Sequence, residues 1–325
     1  MTDISQITIA AFSLRDLPPG KHRYWLEIFP TPEGALRVPL LAVIGRQGPA
    51  VFAVAGVHGD EFEGPEAIWR VYAALRPDDL NGIFAAIPVC NPLAYATVLR
   101  TSPLHADGLN LARVFPGDRS GSPTLRLAAA LFDLVARTLS GRDLFVDLHS
   151  GGARYDVLPM VGYRRGLGDI DRSAAAARAF GIPRLWTVEP RPGMFNSETA
   201  RIGIPTVGGE VMGGGGSRVE DVTAYAEGLL NMLRFEGILT DHPPPRIDGP
   251  FRLVTEAYAE TSGFVRPLKS LEAPVAEHEV VAEILSPHGD VLRTVHAPRA
   301  GDLWAMRRLR SLWVGEQVCW IGYLE

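Results

Sequence analysis

The chain has only two cysteines, no long apolar run and no basic excess, and each shortage closes off a class of function. Cys90 and Cys319 both lie inside apolar, strand-like segments. Such placement reads as buried free thiols rather than a disulfide framework or a soft-metal cluster. No stretch approaches the roughly 18 consecutive apolar residues of a membrane helix. The opening residues, Met-Thr-Asp-Ile-Ser-Gln, carry no basic segment followed by an apolar one, so no secretory signal is expected. A net charge of −5 argues against nucleic acid as the main partner. What survives these exclusions is a cytoplasmic enzyme acting on small molecules, with a homo-oligomer permitted. The 325 residues, 46% hydrophobic and 21% charged, suffice for two domains or one large one with a sizeable core.

The most informative stretch is Val51 to Gly64. An apolar run of strand type, Val51 to Val57, stops at His58-Gly59-Asp60-Glu61, and Pro65 then opens a helix with Ile68, Val71, Tyr72 and Leu75 on its buried face. His58 and Glu61 therefore sit on a loop at the carboxyl end of a strand, where open α/β sheets place their ligands. An imidazole and a carboxylate three residues apart on a tight turn can reach one metal ion. Two histidines and one glutamate form the ligand set of a catalytic zinc with an open fourth position. The competing reading is a solvated histidine beside a surface acid, and the pair alone does not separate the two.

Further strand ends supply candidates. Asp143 to His149 is an apolar strand ending in histidine, with Asp147 on the same face and able to orient the ring; a satisfied core histidine is the alternative. Ile204 to Glu210 is a strand ending in a carboxylate, followed by the glycines 213–216, which suit close approach of a substrate or simply make a flexible loop. Between them the segment 100–118 has little periodicity and many polar groups, and a loop of that length in a compact domain is usually functional. Helices are expected from Ser122-Pro123, from Asp169 to Phe180, from an Asn196 cap through Arg201, and from Val219 to Leu239. These elements predict an α/β fold over residues 1–240, with a mostly parallel or mixed sheet flanked by helices. A proline-rich linker follows at 241–250, and then a small all-β domain at 251–325, a barrel or sandwich of short alternating segments.

The motifs taken together, His-Gly-Asp-Glu at 58–61, Asn-Pro at 91–92 with Arg100, Asp-Gly-Leu-Asn-Leu-Ala-Arg-Val-Phe-Pro-Gly at 107–117, Asp-Leu-His-Ser-Gly-Gly at 147–152 and Gly-Glu at 209–210, resemble the succinylglutamate desuccinylase/aspartoacylase family of zinc carboxypeptidase-like metallohydrolases. The likeness spans nearly the whole chain, and within the family the chain looks most similar to the bacterial N-acetyl-diaminobutyrate deacetylase-like group. It implies zinc on His58, Glu61 and His149, Glu210 as general base, and hydrolysis of an N-acylated amino acid or amine. It implies that Arg100 polarises the scissile carbonyl and that Arg113 grips a substrate carboxylate. The chain departs from the family at Ala112, where an asparagine usually precedes that arginine; Asn110, two residues earlier, is the candidate substitute. Two rivals remain on the same residues. One is a zinc carboxypeptidase on small peptides. The other is a non-catalytic carrier, disfavoured because the turn Ser286 to Asp290 lacks an acceptor lysine.

Overall fold

The computed structural model describes residues 4–32 and 34–325. In chain order the strands up to residue 211 are β1 (Ser5–Thr8), β2 (Gly20–Thr31), β3 (Gly34–Ile44), β4 (Ala50–Val54), β5 (Ile83–Ile87), β6 (Leu144–Ser150), β7 (Tyr155–Val157), β8 (Met160–Arg164), β9 (Leu185–Val188) and β10 (Thr206–Val211). All but β7 form one mixed sheet in the order β1-β2-β3-β5-β4-β6-β10-β8-β9. Its middle, β5-β4-β6-β10, is parallel, and antiparallel neighbours close it on both sides at β3 and β8.

The parallel middle follows from composition. Strands β4, β5 and β6 are buried at every position, the pattern of a sheet covered on both faces by helices. Successive side chains alternate between faces. Phe52 and Val54 pack with α3 (Pro123–Thr138) and Phe195 of α5 (Phe195–Arg201). Val51 and Ala53 face α1 (Glu63–Ala74), α4 (Ile170–Phe180) and α6 (Val219–Phe235). A short α2 (Pro92–Tyr95) is capped by Asn91, whose side chain accepts from the Ala94 N–H.

Three helix ends differ from expectation. Helix α1 begins at Glu63, so Pro65 stands inside its first turn, where a missing N–H still costs nothing. Asn196 does not cap α5: the cap position is Met194, and the Asn196 amide is drawn instead to Arg164. Helix α6 stops at Phe235, two residues before Gly237 takes a left-handed conformation (φ 69°) that ends the run.

Beyond residue 250 the chain is all strand: β11 (Leu253–Tyr258), β12 (Gly263–Pro267), β13 (Pro274–Val275), β14 (Val280–Leu285), β15 (Val291–His296), β16 (Gly301–Arg307), β17 (Ser311–Leu312) and β18 (Gln317–Tyr323). Two antiparallel sheets, β11-β18-β16-β13 and β15-β14-β12-β17, enclose a core that includes Val265, Val281, Ile284, Leu303, Val318 and Ile321. They are joined firmly to the rest. Strand β7 adds itself to β16, pairing Tyr155 to Val157 with Arg307 to Ala305, and Trp186 and Trp304 share one buried cluster. This join places β11 and β18 over the edge of the large sheet where the candidate site residues emerge.

Candidate active site

His58 and Glu61 leave the carboxyl end of β4 on a turn held rigidly. Gly59 is there for space: a Cβ would come within 2.1 Å of the Ala94 backbone. The neighbouring strand ends deliver the other groups. His149 of β6 and Glu210 of β10 are paired residues in the parallel register, so both side chains rise on the same face.

Three of these residues meet. His58 Nδ1 lies 2.6 Å from Glu61 Oε1 and His149 Nδ1 lies 2.9 Å from Glu61 Oε2. One ligand atom from each of the three sits within 4.8 Å of the others, and all three side chains are buried. Each ring is oriented from its far side. The Asn110 carbonyl oxygen, which also accepts from the Ala112 N–H, lies 3.2 Å from His58 Nε2. Asp147 Oδ1 lies 3.1 Å from His149 Nε2. Proton-accepting partners at both Nε2 atoms turn both Nδ1 atoms toward the same point, which is how proteins prepare histidines as metal ligands.

The electrostatics divide the pair. Burial, with Arg100 nearby, lowers His58 to about 4 and keeps it neutral. Burial also opposes charge on His149, but Asp147 and Glu61 outweigh it and raise that ring well above its usual value. Burial works against the Glu61 carboxylate, yet the two imidazoles hold it well below the ordinary range. Burial pushes Glu210 up to about 8, with Glu61 and Asp147 adding to the rise and His149 and Arg100 opposing it. A divalent cation fits this donor set: two imidazole nitrogens, one carboxylate, and a second carboxylate that a nearby positive charge would return to its ionised form.

Arg100 donates to Glu61 Oε1 at 3.0 Å and, with His58, His149 and Glu210, lines a cavity of about 320 Å³. The segment 100–118 that carries it is pinned by Asp107, which accepts from the N–H and hydroxyl of Thr124 at the start of α3 and from the Ser122 hydroxyl. The Asn110 side-chain oxygen is engaged by His58 and the Ala112 N–H. Arg113 lines the cavity, its Nη1 donating to the Ala112 carbonyl at 2.9 Å. The cavity has further walls that sequence reasoning did not single out: Arg164 of β8, Asn196 of α5, Trp186 of β9 and, from the C-terminal sheets, Leu253, Glu256 and Trp320. None of these stands in a spaced motif. Their one common signal is that each lies on or beside a strand bordering β10 or roofing it.

Comparison with known proteins identifies the family. Residues 47–236 match the succinylglutamate desuccinylase/aspartoacylase catalytic domain. The chain is 31% identical over 304 residues to the N-alpha-acetyl-L-2,4-diaminobutyric acid deacetylase of Halomonas elongata, covering 89% of this chain and 86% of that protein. The product-bound ectoine utilization protein EutE (DoeB) of Ruegeria pomeroyi superposes with a TM-score of 0.82 at 27% identity, over 95% of this chain and 98% of that one. A succinylglutamate desuccinylase/aspartoacylase of Rhodobacter sphaeroides gives 0.83 at 26% identity, over 95% and 97%. The matched catalytic segment holds every residue of the His58, Glu61, His149 and Glu210 constellation, and the chain therefore belongs to the succinylglutamate desuccinylase/aspartoacylase family of amide hydrolases.

Proposed function

We propose that the protein is a zinc-dependent deacylase that removes a short acyl group from the α-nitrogen of an amino acid, with an N-acetylated 2,4-diaminobutyrate-like molecule as the substrate class. The observation that carries it is the convergence of His58 Nδ1 and His149 Nδ1 on the two oxygens of Glu61 at the floor of a small roofed cavity. The curated relative acts on such a compound. Three ligands with one position left open favour zinc among divalent ions.

When bound, zinc supplies a Lewis acid for the scissile carbonyl and for the attacking water. The chain's own groups do the rest. Glu210, next to His149 in the register, takes a proton from the water and hands it to the leaving nitrogen. Arg100 meets the oxygen on which negative charge accumulates, and in a buried site that contact counts for more than it would in water. Asn110 and Asp147 hold the two rings in the ligating tautomer. The arginines of the wall, Arg113 among them, face a carboxylate on the amine half of the substrate. The C-terminal sheets act as a roof that limits the length of what enters.

The test is metal analysis followed by a panel of N-acyl amino acids and peptides. The purified protein should carry about one zinc ion per chain, and His58→Ala or His149→Ala should empty the site. Full zinc occupancy in the double variant would remove these residues from the ligand set. Efficient trimming of peptide C-termini without N-acyl amino acid hydrolysis would turn the assignment to a carboxypeptidase.

A further inference from the structure

Five arginines line the cavity, and what distinguishes them is what each guanidinium already holds. Arg100 is paired with Glu61, Arg165 with Glu325 and Arg191 with Glu256. Arg113 is turned onto the carbonyl of its own neighbour, Ala112. Arg164, like Arg113, holds a neutral partner, but of the two it is the buried one. It is 7% exposed, and among the described residues its hydrogen-bonding partner is a neutral one: its Nε donates to Asn196 Oδ1 at 3.0 Å. Charges buried to that degree are normally matched by an opposite charge, because an unmatched one is costly to desolvate. Burial lowers the guanidinium to about 10 against the pull of the Asp147 and Glu210 carboxylates, neither of which it hydrogen-bonds among the described residues, so it stays cationic at neutral pH.

The surroundings are shaped to bring an anion to it. In the sheet register Asp147, Gly208 and Gly162 form one row and His149, Glu210 and Met160 the next. Arg164 lies two residues beyond Gly162 on the same face, a row-to-row distance from Glu210 of about 13 Å along the strands. Between the ligand set and Arg164, β8 and β10 carry Gly162 and Gly208, and the Trp186 side chain lies across them: a Cβ at Gly162 would meet its Cδ1 at 2.5 Å, and its Nε1 donates to the Gly208 carbonyl at 3.4 Å. Gly208 and Trp186 both line the cavity beside Arg164. A Cβ at Gly208 would press on Asn196, standing 3.1 Å from its Nδ2. Asn196 is 3% exposed, lines the same cavity, and presents its Nδ2 donor beside the Arg164 fork. The Trp186 ring lies against the guanidinium, its centroid 5.7 Å from Cζ.

An asparagine and an arginine side by side form the pair missing at 112–113, where Ala112 stands and Asn110 is committed to His58. We infer that Arg164 and Asn196, drawn from β8 and α5, form the subsite that anchors the substrate's carboxylate while its acyl amide lies at the ligand set. The guanidinium presents parallel N–H donors to the two carboxylate oxygens, and the Asn196 amide adds a further donor from the side. Arg113 and Arg191 contribute positive field at longer range. This rests on the deacylase reading for its substrate and adds which group of the substrate the pocket reads.

The experiment compares Nα-acetyl-L-2,4-diaminobutyrate with its carboxamide, which has the same shape and no negative charge. Hydrolysis is measured as kcat and KM, and binding by calorimetry, for wild type, Arg164→Gln, Arg113→Gln and Asn196→Asp. Wild type should prefer the acid. In Arg164→Gln that preference should shrink by roughly 10- to 100-fold, the worth of a charged hydrogen bond, mainly through KM, with the carboxamide little affected. Asn196→Asp conserves volume and places a negative charge beside the subsite, so it should depress the acid selectively even if Arg164→Gln folds poorly. Equal loss on acid and carboxamide would make Arg164 a structural residue. Preference retained in Arg164→Gln but lost in Arg113→Gln would place the anchor at Arg113. Either result overturns the inference. Binding of the acid that depends on Arg164 without hydrolysis would uphold the subsite and refute the deacylase reading. No carboxylate-dependent binding in wild type would refute the subsite itself.

Discussion

Glu210 and Glu61 are both carboxylates beside the same histidines, yet their environments differ. Glu61 is gripped by two Nδ1 atoms and by Arg100, the position of a ligand. Burial holds Glu210 up to about 8 without a metal, and a cation on the neighbouring ligands would bring it down toward the ionised form that can accept a proton from water. Glu210→Gln keeps the shape and removes the basicity. It should therefore leave zinc content unchanged and lower kcat by roughly 10²–10⁴-fold, with a far smaller change in substrate affinity. Glu61→Gln should instead weaken metal retention. Zinc analysis and steady-state kinetics on the two variants check this; a Glu210→Gln enzyme that loses its zinc would make Glu210 a ligand. These two residues and the histidines were legible in the sequence because each follows an apolar run that ends abruptly. The partners of those groups were not. The Asn110 side chain reaches His58 across 52 positions, and Arg164 meets Asn196 across 32. Such pairings arise only when strand order is known, and no local periodicity announces them.

At the scale of elements, the site depends on strands β4 and β6 starting level, and Asp143 is what levels them. It is fully buried just before β6, accepting from Arg15 at 2.6 Å, from the first N–H of β4 at Ala50 and from the N–H and hydroxyl of Ser140. Burial disfavours its charge, but these donors outweigh that and hold its pKa below the ordinary carboxylate value. A group with a lowered folded-state pKa contributes its full stability above the unfolded pKa and loses it as pH falls through the folded one. Asp143→Asn, which places an amide donor against donors, should cost about 1–3 kcal/mol at pH 7. The gap between wild type and variant should narrow below pH of about 4, where the unfolded aspartate protonates. Denaturant melts at several pH values test it; a pH-independent gap would show that packing, not the charge, is what Asp143 provides. Element type was readable where buried parallel strands write themselves as unbroken apolar runs; the short β7, β8 and β16, interrupted by polar residues and glycine, were not foreseen. Helix starts were less so: Asn196 looked like a cap, but its amide is taken by a buried arginine on β8, a competition decided by tertiary structure.

The whole molecule encloses its site by joining two differently built parts. Strand β7, which follows His149 by a few residues, is a member of the C-terminal sheet, so the roof is tied to the ligand set by both chain continuity and pairing. Ion pairs reinforce the join at Arg191 with Glu256, Arg165 with Glu325 and Arg184 with Glu272. The result is a cavity of about 320 Å³, near the lower end of the roughly 300–1,000 Å³ of small-molecule sites. An acylated single amino acid fits such a space, whereas each added residue must pass the roof. Trp320 of β18 is the bulkiest part of that roof, stacked on Tyr155 with ring centroids 6.3 Å apart. We therefore expect kcat/KM to fall at least about tenfold from N-acetyl amino acids to N-acetyl dipeptides, equivalent to about 1.4 kcal/mol. Trp320→Ala should narrow that gap by improving the longer substrate relative to the shorter one, whatever it costs in stability, because the ratio compares two substrates on one enzyme. The measurement is the pair of kcat/KM values for each protein. A ratio that does not move in Trp320→Ala, or a wild type that takes both lengths equally well, would mean that the C-terminal sheets brace the catalytic part without bounding its substrate.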